Sequence, residues 1–134
     1  MSLGYIPFRL HCDLNIYHFN IVDGVPEVPF DMTRVHPIKQ REVYEIYKLF
    51  TKSDLIKNAW IFGSSVSYFC HPKSDTDILI YTELEPEAYC DELKNISLAL
   101  YRICRVSYDL LRKEELSKKD VFNFIGLERG VKIK

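Results

Sequence analysis

The sequence has no apolar run approaching 20 residues, so no segment reads as a membrane-spanning helix. Its start, MSLGYIPFRL, lacks the basic head and long apolar stretch of a secretion signal. The four cysteines, Cys12, Cys70, Cys90 and Cys104, form no CxxC pair, and the four histidines do not repeat at metal-ligand spacing. These absences argue against a disulfide framework and a zinc centre, and lead us to expect a cytoplasmic protein with reduced thiols. An excess of either charge is also missing. Eighteen Lys and Arg against 19 Asp and Glu leave a net charge of −1, which gives no signal for broad nucleic-acid binding. There is no internal repeat and no low-complexity segment.

What is present is an ordinary globular composition, 47% hydrophobic and 28% charged over 134 residues, enough to bury a core. The chain divides at about residue 36. Residues 1–36 carry strand-like stretches around an Asp23-Gly24 turn, which suggests a β-hairpin, and Pro7, Pro26, Pro29 and Pro37 argue against a helix there. Residues 37–134 read as the main domain. Pro37 suits the first position of a helix, and Val43, Ile46, Tyr47 and Phe50 follow on one helical face. AWIF (59–62) and DILIY (77–81) read as buried strands. A long helix is predicted from Glu85-Pro86 to about Ile103, with Tyr89, Leu93, Ile96, Leu100 and Ile103 inward and acidic residues at its positive end. CRVSYDLL (104–111) reads as a third strand with Val106, Tyr108 and Leu110 on one side, SKKDVFNFIGLE (117–128) as a last helix, and VKIK as an edge strand. The order predicts an α+β fold, a mixed β-sheet packed with helices.

The chemistry concentrates in WIFGSSVSYFCHPKSDTDILIY (60–81). Asp75 and Asp77 are two residues apart, so at a strand's start they share a face with Cα atoms about 6.6 Å apart. Two carboxylates so placed repel unless a cation lies between them. Oxygen-rich acidic sites suit Mg²⁺, which keeps water and substrate phosphate as its other ligands, and two ions about 3.5–4 Å apart would fit between such groups and a triphosphate. Gly63-Ser64-Ser65 follows the first strand. Glycine permits close backbone approach, the next residues start a helical turn, and Ser64 adds a hydroxyl donor, so the stretch reads as a phosphate cradle. Asp109 has the opposite parity to Tyr108 and Leu110. If its strand lies beside 77–81 it joins the cluster, completing the metal ligands or accepting a proton. Either motif alone is a loop signal; the combination of strand, Gly-Ser, ten residues, Asp-x-Asp, strand and a later carboxylate is far more specific.

Gly63-Ser64, ten residues, then Asp75-Thr76-Asp77 resembles the signature of the polymerase-β-like nucleotidyltransferase superfamily, with Asp109 where its third carboxylate is expected. Size and the ending FNFIGLERGVKIK resemble its minimal branch, which includes antitoxins paired with HEPN-type ribonuclease toxins. The resemblance covers about residues 37–134. It implies an NTP substrate, with ATP first, and Mg²⁺. It also implies that Gly63 and Ser64 hold the triphosphate, that Asp75 and Asp77 bind metal, and that Asp109 binds metal or serves as base. One departure has a consequence: GSSVSYFC has no arginine after Gly-Ser, which leaves Lys73, or a partner's cation, to supply the positive charge.

Three functions are open at this point. The first is transfer of a nucleoside monophosphate to a protein or other hydroxyl acceptor. The second is a catalytically silent module such as a toxin-neutralising antitoxin. The third is a small-molecule, antibiotic-type nucleotidyltransferase, which usually needs a second domain. The length leads us to expect the acceptor to come from a protein partner or from a second copy in a homo-oligomer.

Overall fold

A computed structural model describes residues 7–10, 21–22, 25–26, 28–83, 85–112 and 130–134. Ile21–Val22 (β1) and Val25–Pro26 (β2) pair antiparallel, with Val22 opposite Val25. The Asp23-Gly24 turn and the helix expected over 117–128 lie outside the described residues.

Helix α1 is Pro37–Thr51, with Pro37 in its first turn and the His36 ring accepting the Ile38 N–H at 3.2 Å. Burying Val43, Ile46 and Phe50 completely seats it on a four-stranded sheet. The strands are Asn58–Phe62 (β3), Thr76–Tyr81 (β4), Tyr108–Arg112 (β5) and Val131–Lys132 (β6), in the order β5-β4-β3-β6. β3 runs antiparallel to both β4 and β6, while β4 and β5 are parallel, so the sheet is mixed. β6 is an edge strand, as its lysines suggest. Helix α2, Cys90–Ile103, packs beside α1.

Strand alternation sends Ala59, Ile61, Ile78 and Ile80 into one core with Val43, Ile46, Phe50, Ile96 and Leu100. Cross-strand register then puts Phe62 and Asp77 opposite each other on the other face. The helices therefore occupy one side of the sheet and the site's carboxylates project from the other.

Two expected boundaries move. The helix over 85–103 is broken: a short 3-10 turn covers Pro86–Ala88, and Tyr89, at φ −145°, stands outside α2. Tyr89 is buried, its hydroxyl accepts a 3.0 Å bond from Thr82, and the Arg112 guanidinium lies 5.4 Å from its ring centre. That tertiary anchoring overrides helical propensity. The third strand starts at Tyr108, not residue 104. Cys104 caps α2, and the parallel register opens with Tyr108 opposite Thr76, the first residue of β4. Val106, expected inward, is 47% exposed as a result. Asp109 accordingly stands second in β5 instead of near its end.

Candidate functional site

β3 ends at Phe62 and the chain turns sharply through Gly63–Val66, one turn of 3-10 helix. Gly63 has φ +71°, the left-handed region where a side chain is strained. A Cβ there would also lie 3.1 Å from Asp77 Cγ and overlap Oδ2. The close approach that demands glycine is thus to the Asp77 carboxylate, which sits directly over the turn.

Asp77 is beside Asp109 in the parallel β4–β5 register. Burial pushes the Asp77 carboxyl up to about 6, with the charge of Asp109, a hydrogen bond to it and the charge of Asp75 adding to the shift, and Lys39 opposing it. Asp75 lies one residue before β4, is exposed, and accepts a hydrogen bond from the Ser107 hydroxyl. The structure therefore brings Asp77 and Asp109 together and holds Asp75 next to them, turned to Ser107. No group of three His, Cys, Asp or Glu side chains among the described residues stands ready as a metal cage. Mg²⁺ does not require one: it is commonly held by one or two carboxylates with water and substrate phosphate completing the shell. A half-buried Asp77, its proton affinity raised by burial and by the neighbouring Asp109 and Asp75 charges, beside an exposed Asp109, fits such a cation.

The phosphate side is placed differently from expectation. Ser64 makes a long 3.5 Å contact from its hydroxyl to the Asp75 carbonyl. Ser65 is fully buried, its hydroxyl has no hydrogen-bond partner among the described residues, and its carbonyl accepts the His36 N–H at 2.8 Å. It faces the protein, not solvent. Lys73 is exposed in a loop whose turns are closed by Ser74 N–H to His71 O at 2.9 Å and Lys73 N–H to His71 Nδ1 at 3.2 Å. The cation opposing the Asp77 shift is Lys39, not Lys73.

Lys39 and Glu42 escaped the sequence reading. They are buried, 3.4 Å apart, one turn along α1. Lys39 Nζ donates to the Ser74 carbonyl at 2.6 Å, and Glu42 accepts the Thr76 hydroxyl at 2.8 Å and the Arg105 N–H at 3.1 Å. A signal was present: stepping back by fours from Val43 and Ile46 lands on Lys39 and Glu42, so the apolar stripe continues into charges. A separate open hollow of about 600 Å³, lined by Phe8, Arg9, His36, Ile38 and Tyr68 among others, contains none of the site carboxylates.

A family model described as polymerase beta, nucleotidyltransferase, matches residues 44–133. No curated protein matches the chain. Among solved structures, a crystal structure described as a mutant of the toxin-antitoxin MntA-HpeT is similar at 18% identity, covering 69% of this chain and 72% of that one, with a TM-score of 0.47. The matched residues span Gly63-Ser64, both strand-borne aspartates and the whole four-stranded sheet, and on that match the chain belongs to the polymerase β nucleotidyltransferase family.

Proposed function

We propose that the protein transfers a nucleoside monophosphate from an NTP, ATP first, to a hydroxyl acceptor on a partner molecule. The observation that carries this reading is the Asp77–Asp109 pair, on adjacent parallel strands over the Gly63 turn. Asp77 and Asp109, with Asp75 adjacent, would hold Mg²⁺, which when bound offsets the negative charge of the phosphates. Asp109, exposed beside Asp77, accepts the proton of the attacking hydroxyl. The acceptor oxygen bonds to the α-phosphorus, the bond to the β-phosphate bridging oxygen breaks, and pyrophosphate leaves. Orientation and fixed charge do most of the work in such a site.

A second reading has its own support. With the Ser65 hydroxyl buried and the Ser107 hydroxyl already donating to Asp75, two hydroxyl donors near the phosphate side are taken up, as in a module that neutralises a toxin by contact without transfer. One assay separates the two. Native partners captured on the protein are incubated with Mg²⁺ and ATP labelled in the α-phosphate, alongside Asp77→Asn and Asp109→Asn. Transfer reading: label on a partner with wild type, none with Asp77→Asn, and with Asp109→Asn retained Mg²⁺-ATP binding without label. Partner capture with no label across several NTPs and divalent metals would overturn transfer and leave the binding module.

A further inference from the structure

The buried Lys39–Glu42 pair lies on the helix face of the sheet, outside the residues matched to the family; beyond the pair itself, its side-chain hydrogen bonds go to neighbours of the site carboxylates, and Lys39 acts on Asp77 through its charge. Isolated buried ion pairs rarely add net stability, because desolvation offsets the attraction. Its bonding pattern gives it another role. Glu42 Oε2 accepts the hydroxyl of Thr76, the residue between Asp75 and Asp77. Glu42 Oε1 accepts the amide N–H of Arg105, four residues before Asp109. Lys39 holds the carbonyl of Ser74, next to Asp75. The Thr76 amide reaches the Ser107 carbonyl at 3.0 Å, closing the loop between the two strand starts. One carboxylate thus grips β4 with one oxygen and the entry to β5 with the other, from behind the sheet.

We infer that Lys39 and Glu42 are positioning residues that set the separation of the Asp75–Asp77 strand from the Asp109 strand, and so the divalent-metal affinity of the opposite face. The inference rests on the nucleotidyl-transfer reading for the metal itself. It makes Glu42 the shared anchor of two strands whose paired first residues, Thr76 and Tyr108, are 32 positions apart in sequence.

The test uses the full chain and Mn²⁺ alone, titrated calorimetrically, with amide hydrogen exchange read in the metal-free protein. Replacing both partners, Lys39→Met with Glu42→Leu, removes the charges together and strands neither, so the protein is expected to fold, with thermal stability lowered only by the Thr76, Arg105 and Ser74 groups that lose a partner. Mn²⁺ affinity is expected to fall about tenfold or more. Exchange at the Thr76 and Arg105 amides should quicken while Ile61, in the sheet centre, is unchanged. A double-mutant cycle adds the readout that a merely structural role would not move: the loss caused by Lys39→Met with Glu42→Leu should largely vanish in an Asp109→Asn background. Thr76→Val, isosteric on the strand, keeps the question answerable if the double variant misfolds; it should weaken Mn²⁺ in the same direction. Wild-type Mn²⁺ affinity in the folded double variant, or in Thr76→Val should that alone fold, overturns the positioning role and leaves the transfer reading intact. Failure of the wild-type protein itself to bind Mn²⁺ overturns both.

Discussion

Asp77 is held over Gly63 and against Asp109, and folding raises its affinity for a proton. Its carboxyl is pushed up to about 6, against about 3.9 for a free aspartate. The sign follows from proton linkage. A raised folded value contributes stability that is complete below the unfolded value and is lost as pH rises through the folded one. Between about pH 4 and pH 6 this group therefore makes the protein less stable with rising pH. Asn cannot titrate, so Asp77→Asn should melt higher than wild type at pH 7.5, and the gap should close as pH falls towards 4. Circular-dichroism melts of both proteins across that range check it; an equal gap at both ends would show that the burial of Asp77 and the charges beside it are not the cause. On the transfer reading, Mg²⁺ at pH 7.5 should raise the wild-type melting temperature and leave Asp77→Asn unmoved.

At the scale of elements, α1 is held at both ends. His36 caps its start, and at its end Lys134 Nζ donates to the Phe50 carbonyl at 2.6 Å and the Ser53 carbonyl at 2.7 Å. A cation on the last carbonyls of a helix satisfies acceptors left without intrahelical donors and complements the dipole. The Lys134–Ile133 segment runs beside β3, with the Ile133 N–H on the Ala59 carbonyl at 2.9 Å, so this contact ties the end of the helix to the sheet edge. Lys134→Met should cost about 1.5–3 kcal/mol, the range for a hydrogen bond to a charged group. Urea titration gives the difference; an unchanged midpoint would mean that water replaces the ammonium without loss. Helix and strand identities were legible here because 3-4 spacing and apolar runs are local signals. The two displaced boundaries were not, because Tyr89 and Tyr108 are placed by tertiary contacts that no helical or strand periodicity encodes: Thr82 and Arg112 for one, Thr76 for the other.

For the molecule as a whole, the family match begins at residue 44, inside α1, yet the fold draws on what precedes it. Met32, Val35 and Val43 are essentially inaccessible, and Gln40 bonds the Val35 carbonyl at 3.0 Å and the Arg9 carbonyl at 2.8 Å. Each buried aliphatic side chain is worth about 1.5–3 kcal/mol. Three of them are comparable with a total stability of about 5–15 kcal/mol, before the loss of the first seven residues of α1, 37–43, is added. A chain shortened to residues 44–133 should therefore fail to fold cooperatively. Far-ultraviolet circular dichroism and thermal melting test this, and a sharp transition near that of the full chain would show that residues before 44 are dispensable to the core.

The sequence by itself determined the α+β class, the two buried strands flanking Gly63-Ser64 and the Asp75-x-Asp77 pair, because strand periodicity and motif spacing are written locally. It also supplied the condition under which Asp109 joins them, that its strand lie beside β4. Only the tertiary structure decided that condition, through the parallel register that sets Asp77 beside Asp109. It alone decided that Gly63 makes room for a carboxylate, that Ser65 turns inward, and that Lys39 and Glu42 grip both strand starts from behind. These are through-space relations between residues 14 to 63 positions apart, and a charge on an apolar stripe acquires a meaning only when the fold shows which backbone it was buried to hold.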